Sequence, residues 1–203
     1  MKLLFSPPSL DDLIRLLKAW RFWILGALLG ALLGAAIYFV APPPYRARAT
    51  VVVDFNLEQA LPQDTDRQHF YYLERETRKL EEIAWSDGLM DQLASEFGIT
   101  VEELRGGKLE LSQPAEGGWH FYADDTDAKL AGQLASAWAQ GFAEEAERRI
   151  ASGGLNSFIQ IEVTQAAELP VARSESMGSY LLMGAIALLA VSAFWVLFFS
   201  KSK

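Results

Sequence analysis

The chain has 203 residues and no cysteine, which excludes a disulfide framework and any thiolate-held metal. Histidine is nearly absent too, with only His69 in "RQHFYY" and His120 in "WHFY". Isolated histidines in such runs read as surface positions of a helix or strand rather than ligands. There is no glycine-rich loop closing on Lys-Ser or Lys-Thr, so no nucleotide site of that kind is expected. Positive charge is in deficit, 18 Lys and Arg against 26 Asp and Glu, which argues against nucleic acid as a partner. Asp124, Asp125 and Asp127 are the one acidic cluster worth weighing as a cation site. Standing just before a helical pattern, they are better read as its cap and as an offset to its dipole. No cofactor, no metal and no enzymatic activity are expected.

Two long uncharged runs dominate what is present. Residues 22–41 ("FWILGALLGALLGAAIYFVA") and 180–199 ("YLLMGAIALLAVSAFWVLFF") contain no ionisable group besides Tyr38 and Tyr180. Each has the roughly 20 residues needed to cross a hydrocarbon core of about 30 Å. Aromatics at their ends suit the headgroup level. The first run is too long for a signal peptide, and Pro42 follows the only small-residue cleavage position, so it reads as an uncleaved anchor.

Six basic residues, Lys2, Arg15, Lys18, Arg21, Lys201 and Lys203, lie outside the two runs, and Arg46, Arg48 and Arg173 lie close inside them. That asymmetry predicts both termini in the cytoplasm. The expected organisation is a leader at 1–21, spans at 22–41 and 180–199, an extracytoplasmic domain at 42–179 and a tail at 200–203. The middle region carries 12 Lys and Arg against 24 Asp and Glu, an acidic surface ill-suited to anionic ligands.

Within the leader, Leu10, Leu13, Leu16 and Leu17 form an apolar stripe after a capping Ser9, predicting an amphipathic helix along the inner membrane face. The prolines of "APPPY" end the first span. "YRARATVVVDF" then alternates, with Tyr45, Ala47, Ala49, Val51, Val53 and Phe55 on one face, as a half-buried strand does. Residues 57–66 read as a loop. Phe70, Leu73, Leu80, Ile83, Leu89, Met90, Leu93 and Phe97 then fit a long helix interrupted at "SDG" and closed by Gly98. "TVEEL" offers a capping box through Thr100 and Glu103. "KLELSQ" and "WHFYAD" form a hairpin by composition. A second long helix buries Ala131, Leu134, Trp138, Phe142, Ala146 and Ile150, and "SFIQIEVTQA" supplies a last strand. The predicted class is α+β in the order β-α-β-β-α-β. This suits a ferredoxin-like, split βαβ domain whose first and last strands are adjacent and antiparallel.

Several stretches resemble the Wzz-type chain-length determinants, the polysaccharide co-polymerases of bacterial glycan export. They are the basic leader ending in "RFW", the exit strand "PPPYRARATVVV", "SDGLMDQLASEFG" with "TVEELRGGKLEL", "YADDTDAKLAGQLASAWAQGF", and "AAELPVARS" before the second span. Pro42, Pro43, Pro44, Tyr45 and Pro170 are the membrane-proximal positions this resemblance marks. Where the family repeats proline at threes, Arg173 and Ser176 stand here. The space between Ile150 and Phe158 leaves no room for the projecting helices of larger members. The resemblance therefore implies a base domain without a tower or fused kinase module. Its implied role is a homo-oligomeric scaffold in the inner membrane for lipopolysaccharide O-antigen, capsule or exopolysaccharide, organising a glycan polymerase or exporter. A sensor or regulatory subunit acting on a separate cytoplasmic tyrosine kinase stands as the alternative. A borrowed fold in an unrelated membrane complex is a third reading.

Gly26, Gly30 and Gly34 of "GALLGALLG" recur every fourth residue on one helix face. In a bilayer, helices associate through close approach at such grooves. Gly184, Ala187 and Ala190, spaced by three in the second span, are a candidate mate. The groove can join the two spans or join protomers in a ring. Membrane lipids complete the expected partners.

Overall fold

In a computed structural model, residues 10–60, 66–112, 118–165 and 173–199 are described. Ser9, expected to cap the leader, and Pro170 lie outside them. The chain divides into two compact units, Met1–Pro43 with Glu175–Lys203, and Pro44–Ser174.

The first unit contains α1 (Leu10–Lys18), α2 (Trp20–Val40) and α8 (Met177–Phe199). Both α2 and α8 are long and apolar enough to cross a membrane. Helix α2 ends at Val40 because Pro42, Pro43 and Pro44 cannot donate the backbone bonds that would extend it. The α2–α8 pairing is antiparallel: Gly26 faces Ser192, and Gly34 faces Tyr180.

The second unit is a mixed helix-and-sheet domain. Strands β1 (Tyr45–Asp54), β2 (Leu109–Ser112), β3 (Gly118–Asp125) and β4 (Gln160–Gln165) form one sheet in the order β2-β3-β1-β4. Every pairing is antiparallel, with Ala49 opposite Phe121 and Val53 opposite Ile161. The period-two pattern decides which face is buried: Ala47, Ala49 and Val51 of β1 meet Trp119, Phe121 and Ala123 of β3 in the core. Arg46, Arg48 and Thr50 take the other face, with His120 and Tyr122 beside them.

Between β1 and β2 the chain forms α3 (Leu57–Ala60), α4 (Asp66–Ala84), α5 (Asp87–Phe97) and α6 (Val101–Glu103). The expected loop at 57–66 thus contains one helical turn. Its start is set by Asn56, at a φ of 43°, whose N–H is held by the Asp54 carboxylate. Helix α4 departs from the sequence pattern in its inward face. Phe70 is 63% exposed, while Tyr72, Glu76, Leu80 and Ile83 point inward, so the buried stripe includes a glutamate that a hydrophobic count passes over. Gly98 closes α5 in the left-handed conformation. Thr100 and Glu103 make both bonds of the capping box.

Helix α7 (Ala128–Ala151) lies on β1, β3 and β4, and α4 and α5 pack against α7. Its centre is Trp138, fully buried, with the indole Nε1 donating to the Ala84 carbonyl at 2.8 Å. Trp85 and Phe121 each bring a ring centroid to 4.9 Å from Trp138. Gly141 of α7 leaves space that Leu89 of α5 fills.

Candidate functional site

The candidate features of the described side chains are structural contacts. The first is the seam between α2 and α8. Gly26, Gly30 and Gly34 are all buried. A Cβ placed on Gly30 would overlap the Gly184 carbonyl, one on Gly34 the Tyr180 carbonyl, and one on Gly26 the Ser192 hydroxyl. At Gly30 and Gly34 the obstacle is backbone, which cannot rotate aside. Gly184 reciprocates, since a Cβ there would strike the Gly30 carbonyl. The interval on α8 is four: Tyr180, Gly184, Leu188 and Ser192 meet the groove. A seam at four-residue intervals keeps two ridges in register along a long crossing. Ala187 and Ala190, spaced by three from Gly184, turn away from the seam and are exposed. Tyr38 and Tyr180 close one end edge to face, their ring centroids 5.4 Å apart.

The second feature lies in the sheet domain, where its two chain ends meet. Tyr45 pairs with Arg173 as an isolated antiparallel bridge. The Arg173 guanidinium sits 4.4 Å from the Tyr45 ring centroid and donates to the phenol at 3.3 Å. Ser174 N–H donates to the Pro44 carbonyl at 2.8 Å. Pro44 is half-buried, Pro43 buried and Pro42 exposed. Arg173 therefore joins the two ends of the domain. The clasp was illegible as such, because Tyr45 and Arg173 are 128 positions apart.

On the open sheet face, Arg46 is neutralised by two carboxylates. Arg46 makes a two-pronged bond to Asp124, at 2.8 Å and 2.7 Å, and reaches Glu110 at 3.0 Å. The bond to Asp124 raises the guanidinium pKa further, so its charge is permanent. Burial, with Arg48 as the second cause, pushes His120 below its ordinary value. Its Nδ1 lies 3.1 Å from the Thr50 hydroxyl. The acidic cluster has separate uses: Asp124 holds Arg46, Asp127 caps α7 by accepting from Lys129 N–H, and Asp125 is buried against Lys108. No group of three or more metal-ligating side chains occurs among the described residues.

Comparison with protein families supplies the decisive observation. Residues 9–97 match the family model Wzz, chain length determinant protein. The match starts in the leader, takes in α2 and β1, and ends at the last residue of α5. Over that stretch the chain is similar to the Wzz chain length determinant proteins. No curated protein matches it. The matched segment contains Gly26, Gly30 and Gly34 and the "PPPY" exit, whereas their contacts on α8 and at Arg173 fall beyond it. Wzz proteins are chain-length regulators of polysaccharide biosynthesis.

Proposed function

We propose that this chain is an oligomeric scaffold of the inner membrane that modulates the chain length or export of a bacterial surface polysaccharide. The observation that carries the reading is the Wzz match at residues 9–97, which runs through the first apolar helix into the domain. In this reading α2 and α8 cross the bilayer, both termini are cytoplasmic, and the acidic sheet domain is extracytoplasmic. The basic residues Lys2, Arg15, Lys18 and Arg21 support that orientation. The strand order β2-β3-β1-β4 supports a ferredoxin-like, split βαβ base domain. Copies of that domain associate side by side and position a glycan polymerase or exporter. The glycine seam joins the two spans of each copy into a single unit.

Deleting the gene and separating surface polysaccharide by size tests the role. The modal length distribution should collapse and return with the wild-type chain. An unchanged distribution would refute it. Crosslinking in native membranes should give a ladder above the dimer, and protease added to spheroplasts should cut the sheet domain while sparing the leader.

A further inference from the structure

Helix α1 presents a row of partly to largely exposed apolar side chains. Leu10 is 79% exposed, Ile14 48% and Leu17 71%. Their spacing of four and three puts them on one face. The helix is tied to the first apolar helix. Only Ala19, at φ −88° and ψ 15°, separates α1 from α2. The Trp23 indole reaches back to donate to the Leu16 carbonyl at 2.9 Å. Helix α1 also packs against α8, which keeps it at that end of the two-helix hairpin. Nine residues at 1.5 Å rise extend roughly 14 Å, so no part of α1 can move far from where α2 begins.

We propose that α1 is an interfacial anchor whose Leu10–Ile14–Leu17 stripe inserts into the bilayer surface. The occupant is lipid because α2, separated from α1 by Ala19 alone, exposes the apolar Phe22, Leu25, Leu28 and Leu29, and acyl chains that cover those reach the adjoining helix. The flanking groups suit the headgroup zone. Lys18 is exposed, and Arg21 lies over the Trp20 ring with 5.5 Å to its centroid, a cation–aromatic pairing matched to phosphates above and hydrocarbon below. The anchor rests on the reading that α2 crosses the membrane. It adds that the leader is held flat on the bilayer rather than free to engage a soluble protein.

The absence of cysteine allows site-specific nitroxide labelling through single introduced cysteines. The full chain in nanodiscs of phosphatidylethanolamine and phosphatidylglycerol would be scanned from residue 10 to residue 18, with Leu28→Cys as the reference for hydrocarbon depth. The ratio of oxygen to nickel-chelate accessibility should oscillate with a helical period, several-fold higher at 10, 14 and 17 than at the minima. Uniform nickel access would overturn the anchor. So would exclusion of both reagents at 10, 14 and 17, which would mean that protein covers the stripe. A water-accessible label at 28 would instead bring down the membrane-crossing reading itself.

Discussion

Arg173 stacks on Tyr45 with 4.4 Å between guanidinium and ring centroid, while the adjacent Ser174 N–H bonds the Pro44 carbonyl. The two ends of the sheet domain are therefore joined by side chain and backbone together. Tyr45→Ala removes both the ring and the hydroxyl and should cost about 1–2 kcal/mol, as a cation–π contact and one hydrogen bond do. Tyr45→Phe keeps the ring and should cost about 0.5 kcal/mol. Chemical denaturation of the two variants, with Arg173→Ala completing a double-mutant cycle, measures the coupling. Additive losses would show that the clasp stabilises nothing.

Gly30 and Gly184 oppose each other backbone to backbone. Gly30→Ile must push α2 and α8 apart, at about 1–3 kcal/mol for overpacking. In a chain carrying Tyr38→Cys and Tyr180→Cys, crosslinking by a short bifunctional reagent should fall sharply when Gly30→Ile is added. Ala187→Ile, on the exposed side of α8, should leave it unchanged.

Trp138 fills the centre of the core and bonds the Ala84 carbonyl. Trp138→Phe strands that carbonyl and opens a cavity, for an expected loss of about 1–3 kcal/mol. Trp138→Ala should lose about 3–5 kcal/mol. Thermal melts followed by circular dichroism would rank the two.

Asp125 gives the domain a dependence on acid. Burial by itself would raise its pKa, but the Asp127 N–H, Lys108 and the Thr126 hydroxyl more than offset that, and the net shift is downward from 3.8. A depressed folded value means the stabilisation is present above the unfolded pKa and is lost as pH falls through the folded one. Asp125→Asn should therefore lower stability at neutral pH. Its difference from wild type should shrink below pH 3.8. A difference constant with pH would exclude this linkage.

The Tyr72 hydroxyl and the second Glu76 carboxylate oxygen are buried without a hydrogen-bond partner among the described residues. Tyr72 is pushed up in pKa by burial first and by Glu76 second. Removing an orphaned hydroxyl removes its desolvation cost. Tyr72→Phe should raise the melting temperature, corresponding to about 1 kcal/mol. A drop would reveal a bond that the hydroxyl makes in the folded protein.

Features that depend on neighbours along the chain could be read from the residues directly. Hydropathy marked α2 and α8. Strict alternation from Tyr45 to Val53 fixed the buried face of β1, and Thr100 with Glu103 announced a capping box that forms as written. The three seam glycines were equally visible, because a four-residue repeat needs no partner to be seen. Tertiary structure alone decided which residues meet them. Ala187 and Ala190 look as suitable as Leu188 and Ser192 until the crossing of α2 over α8 selects the four-residue register. In the same way, Phe70 outranks Glu76 in hydrophobicity but is exposed, because α4 is set down by Tyr72, Leu80 and Ile83 against the rest of the core. Arg173 meets Tyr45 only because antiparallel pairing returns the chain to its starting point. Local periodicity is an energy summed over adjacent residues, whereas the choice between equally apolar faces is made by the shape of what lies opposite.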